Sequence, residues 1–573
     1  MGFHLLNHEM SSVHAAALIL GAAALLSRFL GVVRDRLLAS HFGASRELDI
    51  YYAAFQIPDF LSVLFLLGAA SAAILPVFER LVSRDRERAR VFISALAALF
   101  LIVSSAVCLA AFFAIPRIIP IVAPGFSLQD QARAAALTRL MLVSPVLLGL
   151  SGIFSVAVQS FGRFAAYAAA PILYNLGIIS GIVFLTPRFG IAGLGVGVAA
   201  GALLHCVLQI WVASRLGFEL DVWASARRIF LRERQMRREL WEVVRVSGPR
   251  ALSVGMSQLT IVALVAVGSL LVGGSVTIFN LAQNLYFVPI GIFGVSYATA
   301  VFPRLARAAS ASSGDDFFRE FFSGVRSILF WAAPAAALFL VLRAHIVRLT
   351  LGAEAFSWDD TRLTAAVLAA LCFAMAAGAL RTFLVRGFYA LGNTRIPLAV
   401  NAVASLVSVA LAVAAARALG EGSLAGRALA EVFRIGDLPH PGVLGLGVGF
   451  AAGTVVDICA LYFLLTRKAA HTFGRSPGIP GPGREIAKIA AAAVIAGLVA
   501  YGARAGFSET LPLITFARVL GQGAAAAGAG FAVYWAMLAW LGNEDVALIG
   551  RAITRRLFSL RILPPYWDSG EMK

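Results

Sequence analysis

Long apolar runs separated by short polar segments repeat along the whole chain. A helix needs about 20 apolar residues to cross the ~30 Å hydrocarbon core of a bilayer, and this criterion selects fourteen runs. They lie near residues 13–38, 49–78, 90–115, 133–160, 165–186, 190–215, 243–272, 276–305, 324–344, 362–391, 396–418, 441–466, 485–506 and 515–542. The first, second, eighth and tenth are the least apolar, because each carries charges or several amides. The pattern predicts an all-α, polytopic membrane protein with about fourteen transmembrane helices.

The charged residues between these runs alternate from loop to loop. The even-numbered loops hold the basic clusters, with five arginines between residues 80 and 90 and six between residues 227 and 238. The odd-numbered loops are short or mixed in charge, as around Glu354, Asp359 and Asp360. Because basic loops stay on the cytoplasmic side, we predict that both termini are cytoplasmic, which requires an even number of spans.

The composition excludes the ordinary soluble classes of protein. Hydrophobic residues make up 60% of the 573 residues and charged residues 14%, and the mean hydropathy is +0.85. A soluble protein of this composition would expose large apolar patches and aggregate. The net charge of +18 does not indicate a nucleic-acid-binding protein, because the sequence has no polar, basic domain to carry it. The loop arginines account for the excess.

The positions of the cysteines and the lack of known catalytic motifs exclude further classes of function. Cys108, Cys206, Cys372 and Cys459 lie in apolar runs without CxxC spacing, so neither a disulfide framework nor a zinc site is predicted. The sequence has no HExxH or GxSxG motif and no long polar segment for a catalytic domain. We therefore predict a protein that is not an enzyme and needs no cofactor. The first run lacks a small-residue cleavage motif, which predicts a retained helix.

An internal repeat with an offset of about 226 residues is visible in three matches that occur in one order. They are Gln56 and Pro76 with Gln283 and Pro303, Pro171 and Asn175 with Pro397 and Asn401, and residues 190–201 with residues 442–453. The third offset is longer, because a polar insertion at 421–440 lengthens the second copy. Six spans per copy give both copies the same orientation, a parallel repeat typical of transporters. Its glycines are interpreted mainly as helix-packing positions.

We therefore predict two six-helix lobes with a substrate path between them. The predicted parts are an N-terminal lobe at 1–216, a basic cytoplasmic linker at 217–242, a C-terminal lobe at 243–467, a cytoplasmic loop at 468–484, two further spans at 485–542 and a cytoplasmic tail at 543–573.

The first predicted span carries charges where charge is costly. Arg28, Arg34 and Asp35 follow a long apolar stretch, and a charge in the hydrocarbon costs at least ~2.5–3.5 kcal/mol. One interpretation is structural: Arg28 pairs with Asp35 or Asp49, while the other arginines reach the interface. The other is anion capture, because guanidinium groups bind phosphate bidentately and stay charged. A bend in the helix would be needed for Arg28 and Arg34 to meet one ligand.

Other ionisable residues in or near the spans have simpler interpretations. Asp59 lies in the first part of the second span, near an entrance to the path. A second group is expected to make helix-end or interhelical polar contacts: His205, Arg250, Arg381, Arg386 and Asp457. Among these, Asp457 is the best candidate for coupling to an ion.

Several motifs resemble one known family. The segment Ser27–Asp35, SRFLGVVRD, is similar to the SRxLGxxRD signature of the MurJ/MviN lipid II flippases, which belong to the multidrug/oligosaccharidyl-lipid/polysaccharide exporter superfamily. The segment FYALGNTR at 388–395 is the second specific match. The resemblance covers nearly the whole chain in order, including fourteen spans.

The resemblance implies a flippase that carries lipid II, an undecaprenyl-pyrophosphate-linked peptidoglycan precursor, from the inner to the outer face of the bacterial cytoplasmic membrane. Arg28 and Arg34 match the family's cavity arginines, which are taken to meet the pyrophosphate, and Asp35 and Asp49 match its cavity-lining acids. Alternating access of the lobes is expected, driven by the membrane potential or a monovalent ion. The spans at 485–542 would form a groove for the lipid tail. Expected partners are lipid II, membrane lipids and wall-synthesis proteins.

Two departures from the family affect the expected substrate site. In the second span, many members carry an Arg-Arg pair and a Glu where this chain has Ser62, Val63 and Leu67. In the eighth span, many carry Asp-Arg where this chain has Gln283 and Asn284. One interpretation is that amides, Gln56, Gln283 and Asn284, replace arginines in holding the headgroup. The alternatives are an exporter of another polyprenyl-linked glycan and a MATE-like drug exporter.

Overall fold

The apolar runs of the sequence fold into helices in a computed structural model of the chain. The structure describes residues 13–559 except 69–70, 220, 222–233, 439, 475–481 and 511–514. Within these residues all regular structure is helical, and no β-strand occurs. The predicted all-α polytopic fold is confirmed.

We number the helices in chain order and treat helical segments that continue into one another as one helix. They are α1 Val13–Phe42, α2 Arg46–Gly68, α3 Ser71–Val82, α4 Arg86–Val122, α5 Leu128–Ser160, α6 Phe164–Phe189, α7 Ile191–Arg215, α8 Arg234–Ser269, α9 Ser275–Ser310, α10 Gly314–Leu351, α11 Trp358–Ala390, α12 Arg395–Gly420, α13 Leu424–Phe433, α14 Pro441–Phe473, α15 Gly483–Thr510, α16 Phe516–Trp540 and α17 Glu544–Ser559. Two of them contain a π-helical segment, α6 at Gly181–Leu185 and α9 at Ile290–Val295.

Eleven helices in the described part of the chain are long and apolar enough to cross a membrane. They are α4 to α7, α9 to α12 and α14 to α16. The other three predicted spans fall on α1, on α2 with α3, and on α8, whose apolar part is Gly255–Ser269. These three carry charges inside or next to their apolar stretches. The eighth and tenth runs, α9 and α11, meet the criterion although they were expected to be among the weakest.

Two helices, α13 and α17, were not predicted. Both lie in segments that hydropathy marks as polar, because short amphipathic helices alternate apolar and polar residues and form no continuous apolar run. α13 lies within the insertion of the second repeat copy, and α17 follows the last span.

The surface of α4 is what a lipid-facing helix requires. Large apolar side chains along it are exposed, among them Val103, Leu109 and Phe113, and the helix carries no charge between Arg90 and Arg117. An exposed apolar band of this length would aggregate in water, but it is the normal surface of a helix in hydrocarbon.

The repeated glycines hold neighbouring helices together in both copies. Gly197 of α7 packs on Gly181 of α6, and a Cβ on Gly197 would lie 2.8 Å from the Gly181 Cα. The repeat-related Gly449 of α14 packs against the backbone of α12, where a Cβ would overlap the amide nitrogen of Ala412. Only residues without a side chain let the backbones approach this closely. The prediction that these glycines are packing positions is confirmed.

The chain forms two compact units. The first contains residues 1–283, 350–367 and 397–453, and the second contains residues 284–349, 368–396 and 454–573. The first unit has an aromatic-rich core around Phe78, Phe92 and Phe154, and the second has one around Phe330 and Tyr534. The unit boundaries cross the predicted C-terminal lobe, and the lobe boundaries themselves stay a prediction.

The glycine contacts give a stability test. We expect Gly197→Ala and Gly449→Ala each to lower the free energy of unfolding by about 1–3 kcal/mol, because the added methyl group overpacks a backbone contact. The matched control is Gly502→Ala in α15, where nothing lies within 4 Å of an added Cβ. That change should be neutral or stabilise by up to about 1 kcal/mol through helix propensity. Thermal unfolding of the purified variants in one detergent measures both effects. Equal stability of Gly197→Ala and the native chain would contradict the packing argument.

Candidate functional site

Helix α1 places its arginines at membrane depth. It runs without proline or a π segment from Val13 to Phe42. Arg28 precedes Phe42 by fourteen residues, which is about 21 Å along the axis at 1.5 Å per residue. The side chain of Arg28 is half-buried. A guanidinium at this depth has to contact protein or water, because the hydrocarbon cannot solvate it.

Arg34 forms an ion pair with its neighbour Asp35. Nε and Nη2 of Arg34 donate to the same carboxylate oxygen of Asp35 at 3.0 and 2.8 Å. The Asp35 side chain is buried, while the Arg34 side chain keeps 24% of its surface exposed. Arg28 was expected to pair with Asp35 or Asp49; the adjacent Arg34 pairs with Asp35, and the Arg28 pairing stays a prediction. The pair uses two of the five N–H donors of the guanidinium.

Arg28 and Arg34 lie on one continuous helix. On an ideal helix, six residues separate two side chains by about 9 Å along the axis and about 120° around it. A bend or a bridging ligand is therefore needed for both arginines to contact the same substrate.

Three tyrosines lie close to the Arg34–Asp35 pair. Tyr51 and Tyr52 of α2 are buried and within electrostatic range of both charged groups. Tyr174 of α6 lies within the same range of Arg34 and Tyr51. Sequence reasoning missed them, since a tyrosine in an apolar run carries no signal of its own beyond its aromatic ring.

Asp49 lies at the start of α9. Its carboxylate is fully buried and accepts hydrogen bonds from the backbone N–H of Gly274 at 2.7 Å and from the N–H and hydroxyl of Thr277, both at 2.8 Å. These donors form the first turn of α9, so Asp49 caps that helix from α2. A carboxylate at a helix N-terminus is stabilised by unpaired N–H groups and by the helix dipole. Both carboxylate oxygens have partners within the protein, and the cavity-lining role of Asp49 stays a prediction.

Glycines near Asp49 allow close backbone contacts between neighbouring segments. A Cβ on Gly43 would overlap the carbonyl oxygen of Ala355, and one on Gly274 would overlap the carbonyl oxygen of Ala44. Gly125 lies equally close to Ser269 and donates its N–H to the Ser269 hydroxyl at 3.1 Å. All these residues lie at helix ends facing odd-numbered loops. They join the predicted N-terminal lobe to the predicted C-terminal lobe through backbone contacts.

Two of the three predicted amides, Gln56 and Gln283, are buried and incompletely satisfied. Gln56 donates from Nε2 to the carbonyl of Tyr52 at 3.3 Å, while its Oε1 has no hydrogen-bond partner among the described residues. Its repeat partner Gln283 is also buried, and within the described chain no acceptor lies within hydrogen-bond distance of its Nε2. The third amide, Asn284, is half-buried. An unsatisfied buried amide is uncommon and calls for a ligand, a water or another conformation.

Most of the remaining intramembrane ionisable residues make interhelical contacts. Arg381 of α11 donates from Nε to Asp457 of α14 at 2.8 Å. In the first copy, His205 of α7 hydrogen-bonds Ser151 of α5 at 2.7 Å. Arg386 donates to Thr299 at 2.9 Å. The expectation of helix-to-helix polar contacts is confirmed for these residues, while the side chain of Arg250 lies outside the described part.

Asp59 links two helices of the predicted lobes. Nε2 of Gln258 in α8 donates to a carboxylate oxygen of Asp59 in α2 at 2.6 Å. Together with the contact of Arg46 and the carbonyl of Ser269 at 3.5 Å, it shows that α2 and α8 lie side by side. The described residues contain no group of three or more His, Cys, Asp or Glu side chains that could hold a metal ion.

Comparison with known proteins identifies a family. The profile of the family described as Lipid II flippase MurJ matches residues 38–520. A protein of Rhizobium tropici named "Probable lipid II flippase MurJ" is 29% identical over 413 residues, which cover 71% of this chain and 76% of that protein.

Solved structures show the same fold. A lipid II flippase MurJ in an inward closed conformation superimposes with a TM-score of 0.69 at 21% identity, over 91% of this chain and 98% of its own. An inward-facing MATE family multidrug transporter of the MOP superfamily gives a TM-score of 0.60 at 17% identity, over 78% and 96% of the two chains. At these identities the likeness is one of fold alone.

The cap on α9 gives a second test. We expect Asp49→Asn to destabilise the contacts around the first turn of α9 by about 2 kcal/mol. The asparagine has one neutral acceptor oxygen in place of two charged ones, and its NH₂ group would face the N–H donors of α9. The matched control is Glu47→Gln, which removes an exposed ion pair with Arg133 and should change stability by less than about 1 kcal/mol. The measurement is the rate at which a membrane-impermeant maleimide labels Ala44→Cys in each background. Unchanged labelling in Asp49→Asn would refute the role of the cap.

Proposed function

Because the chain belongs to the lipid II flippase MurJ family, whose profile matches 38–520, we propose that it carries lipid II from the inner to the outer face of the bacterial cytoplasmic membrane. The family resemblance noted in the sequence is confirmed by this match. The chain is a transporter and not an enzyme, and it is a multi-pass protein of the inner membrane. Lipid II is its proposed substrate, and wall-synthesis proteins are proposed as partners.

The Arg34–Asp35 pair is the observation that carries the proposal. Lipid II presents a pyrophosphate, and a guanidinium binds phosphate oxygens through paired N–H groups while remaining charged. Asp35 orients Arg34 and offsets its charge in the empty state, which makes a guanidinium tolerable at membrane depth. Arg28, deeper on the same helix and half-buried, is the second contact, reached by a bridging ligand or after α1 moves.

The buried amides complete the proposed headgroup site. Gln56 offers an unpaired acceptor and Gln283 an unpaired donor, which suits a ligand that carries hydroxyl and amide groups as well as phosphate. They lie at repeat-related positions, one in each predicted lobe. Amides at these positions give a site with fewer cations than many relatives have, and they are our explanation for the missing arginines.

Alternating access is the proposed mechanism. The lobes at 1–216 and 243–467 rock about the substrate, and the Asp49 cap with its glycine contacts closes the end that faces the odd-numbered loops. The loop charges support placing that end outside and both termini in the cytoplasm. The spans at 485–542 are proposed to hold the lipid tail. No nucleotide-binding motif is present in the sequence, so we propose that the membrane potential or a monovalent ion supplies the energy.

Complementation tests the function. A bacterium depleted of its own lipid II flippase is expected to grow when this chain is expressed, and lipid II should become accessible to an external probe. Collapsing the membrane potential with an ionophore in the same cells is expected to stop that exposure. Growth failure with well-folded, membrane-inserted protein would overturn the lipid II assignment. In that case other polyprenyl-linked glycans are the next substrates to assay, followed by cationic drugs.

The arginines are tested in that assay. Arg34→Gln and Arg28→Gln are each expected to abolish growth rescue, because a neutral amide cannot pair with pyrophosphate as a cation does. Arg34→Lys should retain part of the activity, since the charge stays but the bidentate geometry is lost. Arg133→Gln, which removes only an exposed arginine in the first turns of α5, is the matched control and should rescue fully. Full rescue by both Arg28→Gln and Arg34→Gln would sink the site assignment.

The amides call for a different kind of variant. Gln56→Met and Gln283→Met preserve side-chain length and remove polar atoms that are unsatisfied in the structure. Such a replacement is nearly neutral or stabilising for the fold, so thermal stability should hold or rise. Lipid II exposure is expected to fall severalfold, because the substrate loses its partners. Stable variants with native activity would show that the amides do not contact the substrate.

A further inference from the structure

The insertion between α12 and α14 carries a helix that has no counterpart in the first repeat copy. Ser423 caps α13 by accepting a hydrogen bond from the N–H of Gly426 at 3.2 Å, and the helix ends at Arg434, whose φ of 58° lies in the left-handed region. The ten-residue helix therefore has defined ends of its own. Its place in the chain, between two predicted spans, puts it in an odd-numbered loop.

The segment after α13 is fixed to the start of α11. Arg362 donates to both carboxylate oxygens of Asp437, at 2.7 and 2.6 Å, and to the carbonyl oxygen of Arg434 at 3.0 Å. These hydrogen bonds hold the pKa of the Asp437 carboxyl below its usual value. The insertion is thus tied to the protein at its C-terminal end as well as through α12.

The contact of Gly426 with α12 sets the position of α13. Gly426 is buried against the last turn of α12, and a Cβ there would overlap the carbonyl oxygen of Ala418. Helix α12 is a candidate membrane span that ends at Gly420. α13 therefore lies against the C-terminal end of a candidate membrane span.

Helix α13 has three distinct faces. At about 100° per residue, Gly426 and Ala430 form the face that is buried against the protein. Arg427 and Glu431 form a polar face. Opposite the buried face, Leu424, Ala428 and Val432 form a ridge at i, i+4 and i+8, in which Leu424 is 87% and Val432 70% exposed. We call these three residues the α13 ridge. The half-buried Leu429 and Phe433 continue the apolar surface from this ridge to the buried face.

We propose that α13 is an interfacial helix whose ridge inserts into the bilayer beside the end of α12. A helix held at a span end meets three environments, namely protein, lipid and water, and the three faces of α13 match them one to one. The ridge is only about 12 Å long at 1.5 Å per residue. That is too small for a stable protein interface of about 800 Å² per partner, but it is sufficient for an amphipathic helix that buries its apolar side about 5–10 Å into the interface.

The consequence is a second attachment of the insertion to its surroundings. Arg362 ties it to α11, and the ridge ties it to the plane of the leaflet. The proposal rests on the chain being a membrane protein and is independent of which lipid it transports. It therefore stands or falls separately from the complementation experiment.

Site-specific labelling of the full chain in lipid nanodiscs tests it. Cys459 is exposed while the other three cysteines are buried, so Cys459→Ser gives a background for single cysteines at Leu424, Val432, Arg427 and Glu431. All four positions are exposed and tolerate an environment-sensitive fluorophore. The labels are quenched either by a lipid that carries a spin label near its headgroup or by aqueous iodide.

We expect labels at Leu424 and Val432 to be quenched severalfold more by the spin-labelled lipid than labels at Arg427 and Glu431, with the opposite order for iodide. Equal access of iodide to all four sites would overturn the proposal, and it is the result expected if the ridge faces water or awaits a protein partner. As a second measurement, Leu424→Ser with Val432→Ser should move a label at Ala428 from lipid to iodide quenching. Arg427→Ser with Glu431→Ser, the matched control, should leave that label in lipid.

Discussion

A single buried carboxylate joins the two halves of the repeat. Asp49 and Gly274 lie 225 positions apart, yet the Asp49 side chain completes the first turn of α9. Without it the N–H groups of that turn would be buried without an acceptor, since a bilayer offers no water to replace one. The turn between α1 and α2, the turn between α8 and α9 and the glycine contacts around them all depend on this placement.

The proposed substrate site depends on how a membrane protein manages charge. Arg34 pairs with the adjacent Asp35 on its own helix, whereas Arg381 pairs with the buried Asp457 on another helix, and both arginine side chains keep part of their surface exposed. The second pair joins two helices, and the first does not. Gln56 and Gln283 add polarity without adding charge. A site built in this way recognises phosphate with few cations, and its affinity depends on how many neutral hydrogen bonds the headgroup can satisfy.

Much of the fold could be predicted from hydropathy and the repeat, because apolar runs in a membrane have few options other than helices. Gly197 and Gly449 could be assigned to packing, since a residue without a side chain in an apolar helix has a narrow range of uses.

The partner of Asp49 could not be predicted, because the contact joins two turns that are far apart in the sequence. The Gly273–Gly274 pair before the apolar run of α9 is a helix-start signal that could have suggested an anion there. The Arg34–Asp35 pair was missed because adjacent residues point to different sides of an ideal helix. The long arginine side chain can nevertheless turn back to reach the neighbouring carboxylate. α13 was missed because its apolar residues are spread over separate faces.

The glycines at the closed end have a consequence for the membrane as a barrier. At Gly43, Gly125 and Gly274 the backbones of opposing segments meet with no room for a methyl group, and hence none for a water molecule between them at these points. A chain of waters is what conducts protons through a protein. A transporter whose substrate headgroup is large must open widely on one side, and a closure made of side chains alone would leave gaps between them. Backbone contact at Gly43, Gly125 and Gly274 leaves no gap at these three points, and we expect it to limit leakage of protons and small ions while a large cargo is moved.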